Sequence, residues 1–99
     1  MNKLAFPVTF SLALAVATAA LAGTCDPKKV VGSTHKVTAA EAHVNPRTSE
    51  KVTGTLAAGV AADVISTREV DGQTWYLVRW PDGNTKKAGW IEGAHLVCD

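Results

Sequence analysis

The sequence predicts a small all-β domain, and three observations carry the prediction. After residue 22 no stretch of the chain holds an apolar period of 3.6 for long. Short runs rich in β-branched and aromatic residues recur instead, each bounded by Gly, Pro, Asn or Asp. Two tight-turn signals, Asp71-Gly72 and Pro81-Asp82-Gly83-Asn84, join the strongest of these runs into hairpins.

The first 22 residues stand apart from that domain. One basic residue, Lys3, precedes an uncharged Ala- and Leu-rich run, which ends at Ala20-Leu21-Ala22, an A-x-A cleavage pattern. This is the layout of a signal peptide over 1–22, and it directs the chain to the periplasm or the outside of the cell. A membrane-spanning helix is the competing reading of so long an apolar run, but Pro7 and the absence of a basic stop-transfer cluster oppose it. The stretch before Cys25 resembles a lipidation box, except that Thr24 separates the small residue from the cysteine. After cleavage nothing remains that would hold the chain in a membrane.

Residues 23–35 read as an irregular leader with Pro27, Gly32 and a small apolar pair, Val30-Val31. The folded domain is expected over 36–99. Its first strand is placed at His35–Ala39, before the turn-forming Asn45-Pro46-Arg47-Thr48-Ser49. Lys51–Leu56 is a second strand and Val60–Thr67 a third, in which Ala62 and Val64 share one face and Asp63 and Ile65 the other. Thr74–Trp80 is the strongest strand, since all its residues but Arg79 are β-branched, aromatic or leucine. Lys86–Ile91 returns as the last long strand, and Glu92–Leu96 suits a single 3₁₀ turn.

Composition narrows the function classes. The chain has 10 basic and 9 acidic side chains, and without Lys3 the remainder is balanced. No basic stripe with interleaved aromatics appears, so nucleic acid is not an expected partner. The two cysteines, Cys25 and Cys98, lie near opposite ends of the exported chain, and an even count in an oxidising compartment favours a disulfide between them. A free thiol or an intermolecular bridge is the alternative. Neither cysteine has a second ligand at zinc spacing, and the three histidines, His35, His43 and His95, read as scattered surface residues. No metal and no cofactor is therefore expected. The chain lacks the motifs of a nucleophile elbow, a zinc protease or a phosphate loop, and it is read as a non-enzyme.

The order of several pieces carries a family resemblance. Val52-Thr53-Gly54-Thr55-Leu56 followed by Gly59 fits V-x-G-x-L-x-x-G; Trp75-Tyr76-Leu77-Val78 fits W-Y-x-V; Gly89-Trp90-Ile91 closes like G-W-V. In this order they resemble a bacterial SH3-type (SH3b) domain over about Lys36 to Val97. The resemblance implies an SH3-like barrel of about five short strands with a terminal 3₁₀ turn. It places Val52, Leu56, Val64, Tyr76, Val78 and Ile91 in the core, with Val37, Ala62, Ala88 and Leu96 around them. The loop at His43–Ser49 departs from the family pattern, being shorter and lacking its glycine.

The same resemblance implies a binding module for cell-envelope material, such as peptidoglycan peptides, or for an envelope protein. Its groove is expected at Trp75, Trp90 and Asn45, with Arg47 as a charged rim. Trp75 is either an exposed anchor or a residue packed under the Thr67–Thr74 segment or the leader. Trp80 and Trp90 also read as lids over the barrel. Two other classes compete: an exported inhibitor that docks on one partner protein through the polar Thr67–Thr74 hairpin, and an accessory domain with no ligand, whose mark would be a buried Trp75.

Overall fold

The computed structural model describes residues 25–98. The expected signal peptide at 1–22 lies outside the described residues. Within them the chain runs α1 (Pro27–Val30), β1 (Thr34–Lys36), β2 (Ala40–His43), β3 (Val52–Leu56), β4 (Ala61–Val70), β5 (Gln73–Asp82), β6 (Thr85–Glu92) and a 3₁₀ turn (Gly93–His95). All six strands form one antiparallel sheet in the order β1-β4-β5-β6-β2-β3. The two edge strands do not pair with each other, so the hydrogen-bonded sheet is open.

The hairpins arise where their turn residues demand them. β4 and β5 are joined by Asp71-Gly72, and both residues have positive φ, 52° and 76°. That is the two-residue turn whose twist matches the flanking strands, and Gly and Asp tolerate the left-handed region it needs. The Thr67–Thr74 segment forms the end of this hairpin. It is a continuous ladder, with Thr67 opposite Tyr76 and Val70 opposite Gln73.

The expected first strand, His35–Ala39, does not form as one run. Lys36 ends β1, Val37 makes an isolated bridge to Leu96, and a new strand, β2, begins at Ala40. β2 pairs with β3 and, through His43, with Trp90 of β6. β2 approaches β6 closely because Gly89 has no side chain: a Cβ there would lie 2.7 Å from the Cβ of Ala42.

The leader segment is also built into the domain. Asp26 caps α1 by accepting the Lys28 N–H at 3.0 Å, with Pro27 in the first turn, and Val30 joins the core. The chain ends meet beside β1. Val97 N–H donates to the Lys36 carbonyl (2.9 Å), Thr38 N–H donates to the His95 carbonyl (2.8 Å), and Cys25 and Cys98 form a disulfide with Cα atoms 5.4 Å apart.

One face of the sheet carries the core: Val30, Val37, Ala40, Ala42, Leu56, Ala62, Val64, Tyr76, Val78, Trp80, Ile91 and Leu96. Two expected members are displaced. Val52 is 41% exposed, and Ala88 is exposed as well. Ala88 is out of phase with Gly89 and Ile91 on β6, whereas Val52 is in phase with Leu56 in sequence but stands beyond a register shift that skips Thr53 and sets Val52 opposite His43. Trp80, expected as a lid, is part of the packed core, where its ring lies over Gly54. No described helix is long and apolar enough to cross a membrane.

Candidate functional site

The other face of the sheet is polar at its margins and aromatic at its centre. Period-two alternation places Trp75 and Leu77 of β5 opposite to Tyr76 and Val78, and Trp90 pairs across the ladder with Leu77. His43 of β2 joins the same face by its pairing with Trp90. The His43 and Trp75 rings meet edge to face at 6.2 Å between centroids.

Arg68 reaches this face through an irregularity in β4. The ladder runs from Val64 opposite Val78 directly to Ser66 opposite Leu77, so Ile65 is an extra residue. A bulge of this kind shifts the alternation by one. Without it, Arg68 would share the buried face with Val64. With it, Arg68 stands opposite Trp75, and its guanidinium lies 5.1 Å from the centroid of the Trp90 ring.

A short loop, residues 44–51, folds along the aromatic centre. Val44 N–H donates to the Lys51 carbonyl (2.9 Å) and closes the loop at its base. Asn45 Nδ2 donates to Glu50 Oε1 (3.2 Å), and His43 Nδ1 donates to the Glu50 carbonyl (2.9 Å). Pro46 is buried, so the loop presses onto the sheet instead of standing free.

Of the four residues expected to form a groove, Asn45, Arg47 and Trp75 border two adjoining clefts, and Trp90 lies under Arg68 of the second. Asn45 and Arg47 are on the exposed rim. Trp75 is 3% exposed and Trp90 is 9% exposed, so both are floor and neither is an open platform. Trp75 borders a cleft of about 240 Å³ shared by Pro46–Ser49 and by Val70, Asp71 and Gln73. Arg47 also lines the adjoining cleft with Asn45, Glu50 and Arg68.

A larger cleft, about 400 Å³, opens on the other side of Thr48. It is lined from β2 and the residue before it, from Thr48 and Thr55, and from Glu92 and His95. His43 is 6% exposed, which corrects its reading as a surface histidine. His95 Nδ1 lies 2.9 Å from Thr38 Oγ1, so its ring is fixed at the far wall. Glu92 Oε2 accepts from Gln73 Nε2 at 2.8 Å. Among the described residues no three metal-ligating side chains are placed to hold one ion.

Sequence reasoning passed over Glu41, His43, Arg68 and Glu92. Glu41 and His43 had a signal, because Ala40-Glu41-Ala42-His43 alternates small apolar with polar residues. Arg68 had none, since its placement depends on the bulge. Two groups with shifted pKa lie away from these clefts. The Asp63 carboxyl is held below its usual range chiefly by the Thr34 hydroxyl, which donates to it at 2.7 Å, and further by Arg79. The Tyr76 hydroxyl is pushed up by burial and by the negative charges of Glu69 and Asp26.

No protein-family model, no curated protein and no solved structure matches the chain.

Proposed function

We propose that this chain is a non-catalytic, exported binding module of SH3-like type, and that its ligand surface is the face framed by the 44–51 loop. The ligand is cell-envelope material, a peptidoglycan peptide, or an envelope protein. One observation supports the reading: Asn45, Arg47 and Trp75 line two adjoining clefts along one loop, and Trp90 lies beneath Arg68, which borders one of them. The disulfide fits an oxidising compartment outside the cytoplasm. Both tryptophans act here as a rigid floor that holds the polar rim in place, an arrangement that lowers the ordering cost of binding.

A second reading, a domain with no ligand of its own, draws on the burial of Trp75. Retention of the oxidised protein on purified sacculi separates the two. The binding module is retained, and Arg47→Ala weakens retention without unfolding the domain, because Arg47 is exposed. Absence of retention, together with co-purification of one stoichiometric protein partner, would replace wall binding with docking on that partner. Absence of both would leave the accessory domain.

A further inference from the structure

The two sulfurs of the Cys25–Cys98 disulfide meet different neighbours. Cys25 Sγ lies 3.5 Å from the Leu96 carbonyl oxygen, and Cys98 Sγ lies 4.0 Å from His35 Nδ1. A disulfide sulfur carries no proton, so what Nδ1 turns toward Cys98 is decided on the other side of the ring. There Ser33 Oγ spends its single proton on the Val30 carbonyl (2.7 Å) and is left to accept from His35 Nε2, 3.0 Å away. In the neutral ring the proton is therefore on Nε2, and the Nδ1 lone pair faces Cys98.

With the bridge open, the same arrangement is a thiol beside a base. A proton arriving at Nδ1 leaves both ring nitrogens satisfied, Nε2–H on Ser33 Oγ and Nδ1–H on the Cys98 sulfur. The thiolate–imidazolium pair thus needs no rearrangement. Cys25 has a carbonyl beside it instead, which accepts from a thiol and repels a thiolate. The other charged groups of the surrounding elements are engaged elsewhere or exposed. Asp26 accepts the Lys28 N–H, Asp63 is held by Thr34 and Arg79, His95 Nδ1 lies against Thr38, and Lys28, Lys29 and Lys36 are exposed. Among the described residues none of them hydrogen-bonds to either sulfur, and Asp99 lies outside those residues. Backbone contacts also hold Cys98 near β1: Val97 N–H donates to the Lys36 carbonyl, and the buried Leu96 bridges to Val37. Both cysteines are half-buried, and His35 and Val97 line an open cleft of about 330 Å³ beside them.

We propose that this bridge is a thiol–disulfide exchange site for small thiols, in which Cys98 is the sulfur that leaves and re-closes and His35 is its acid–base partner. A thiol attacks Cys25 Sγ, the Sγ–Sγ bond breaks, and its electron pair stays on Cys98 while the thiol's proton comes to rest on His35 Nδ1. In the reverse step the Cys98 thiolate attacks the mixed disulfide at Cys25, the small thiol leaves, and His35 returns the proton to it. A sulfur stabilised as thiolate leaves faster and is already in the attacking form. The site is on β1, at the opposite edge of the sheet from β3, so it stands apart from the ligand face.

The test reduces the protein without denaturant, checks its fold by circular dichroism, and maps limited iodoacetamide labelling by mass spectrometry from mildly acid to mildly alkaline pH. Cys98 is expected to be labelled about tenfold faster than Cys25 at mildly acid pH, and the preference is expected to vanish in urea. His35→Gln keeps an amide donor for Ser33 but removes the base. It is expected to abolish the preference, to move Cys98 labelling toward alkaline pH, and to slow opening of the oxidised variant by a small thiol. Histidine-ring ¹H–¹⁵N spectra of the unmodified oxidised protein test the tautomer even where the variant is unstable, and His35 is expected as Nε2–H. Equal labelling of the two cysteines in folded protein, faster labelling of Cys25, an undiminished preference in His35→Gln, an Nδ1–H tautomer, or a reduced chain that does not fold would each overturn the assignment.

Discussion

Tyr76 is the only tyrosine in the chain, and it is among the largest fully buried side chains. Burial disfavours the phenolate, and Glu69 and Asp26 add repulsion, so its pKa is raised above the ordinary 10.0. A folded-state pKa above the unfolded value means that the native state holds the proton more tightly. The associated stability is complete below pH 10.0 and is lost as pH rises from there through the folded pKa. Tyrosinate absorbance is therefore expected to appear only together with loss of native circular dichroism, in one alkaline transition. An early tyrosinate signal in folded protein would place Tyr76 outside the core. At this scale the sequence was informative: Tyr76, Val78, Leu56, Val64 and Ile91 lie inside as alternation required. Val52 does not, because the register shift that skips Thr53 turns it out of phase with Leu56, and Ala88 does not, because it alternates with the buried Gly89.

Among the elements, β4 shows how one inserted residue assigns side chains. Its first half, Ala62 and Val64, faces the core, and the bulge at Ile65 sends Arg68 to the aromatic face over Trp90. Arg68 is itself exposed, so the contact is worth about 0.5–1 kcal/mol. Arg68→Ala is expected to lower stability by about that amount and to change the Trp fluorescence of the folded protein. Chemical denaturation followed by fluorescence measures both, and unchanged values would remove the stacking contact. The two hairpins were legible in sequence because Asp-Gly turns and β-rich runs are local signals. β2 was not, since Ala and Glu are poor strand formers. Its extended state is imposed by pairing with β3 on one side and β6 on the other. The candidate clefts divide in the same way: Asn45, Arg47 and Trp75 carried loop and aromatic signals, whereas Glu41 and His43 lie on β2 and were hidden with it.

For the whole molecule, the ends are the point of closure. The disulfide joins residues 73 positions apart, and Leu96 and Val97 add their backbone to the stretch around Lys36–Val37. On the chain-entropy account, closing a loop of that length stabilises the fold by about 4 kcal/mol, a large share of what a domain this small has in total. Reduction is expected to lower the unfolding free energy by about 4 kcal/mol, read as a fall in the urea midpoint of reduced and alkylated protein. An unchanged midpoint would show that the C-terminal segment holds β1 without the covalent link. The pairing was readable from the cysteine count, since two cysteines allow one connectivity. The strand order was not, because the return of β2 and β3 to the far side of β6 rests on non-local contacts that leave no periodic trace. The open six-stranded sheet depends on those non-local pairings.

The central claim is that the face framed by residues 44–51 receives the ligand while the opposite face is core. Chemical-shift mapping of the oxidised protein with solubilised wall peptides addresses it directly. The account predicts changes centred on His43–Glu50, Arg68, Trp75 and Trp90, with Thr34, Lys36 and Ile65 unmoved. No change at any position, or changes centred on β1 and the first half of β4, would contradict it.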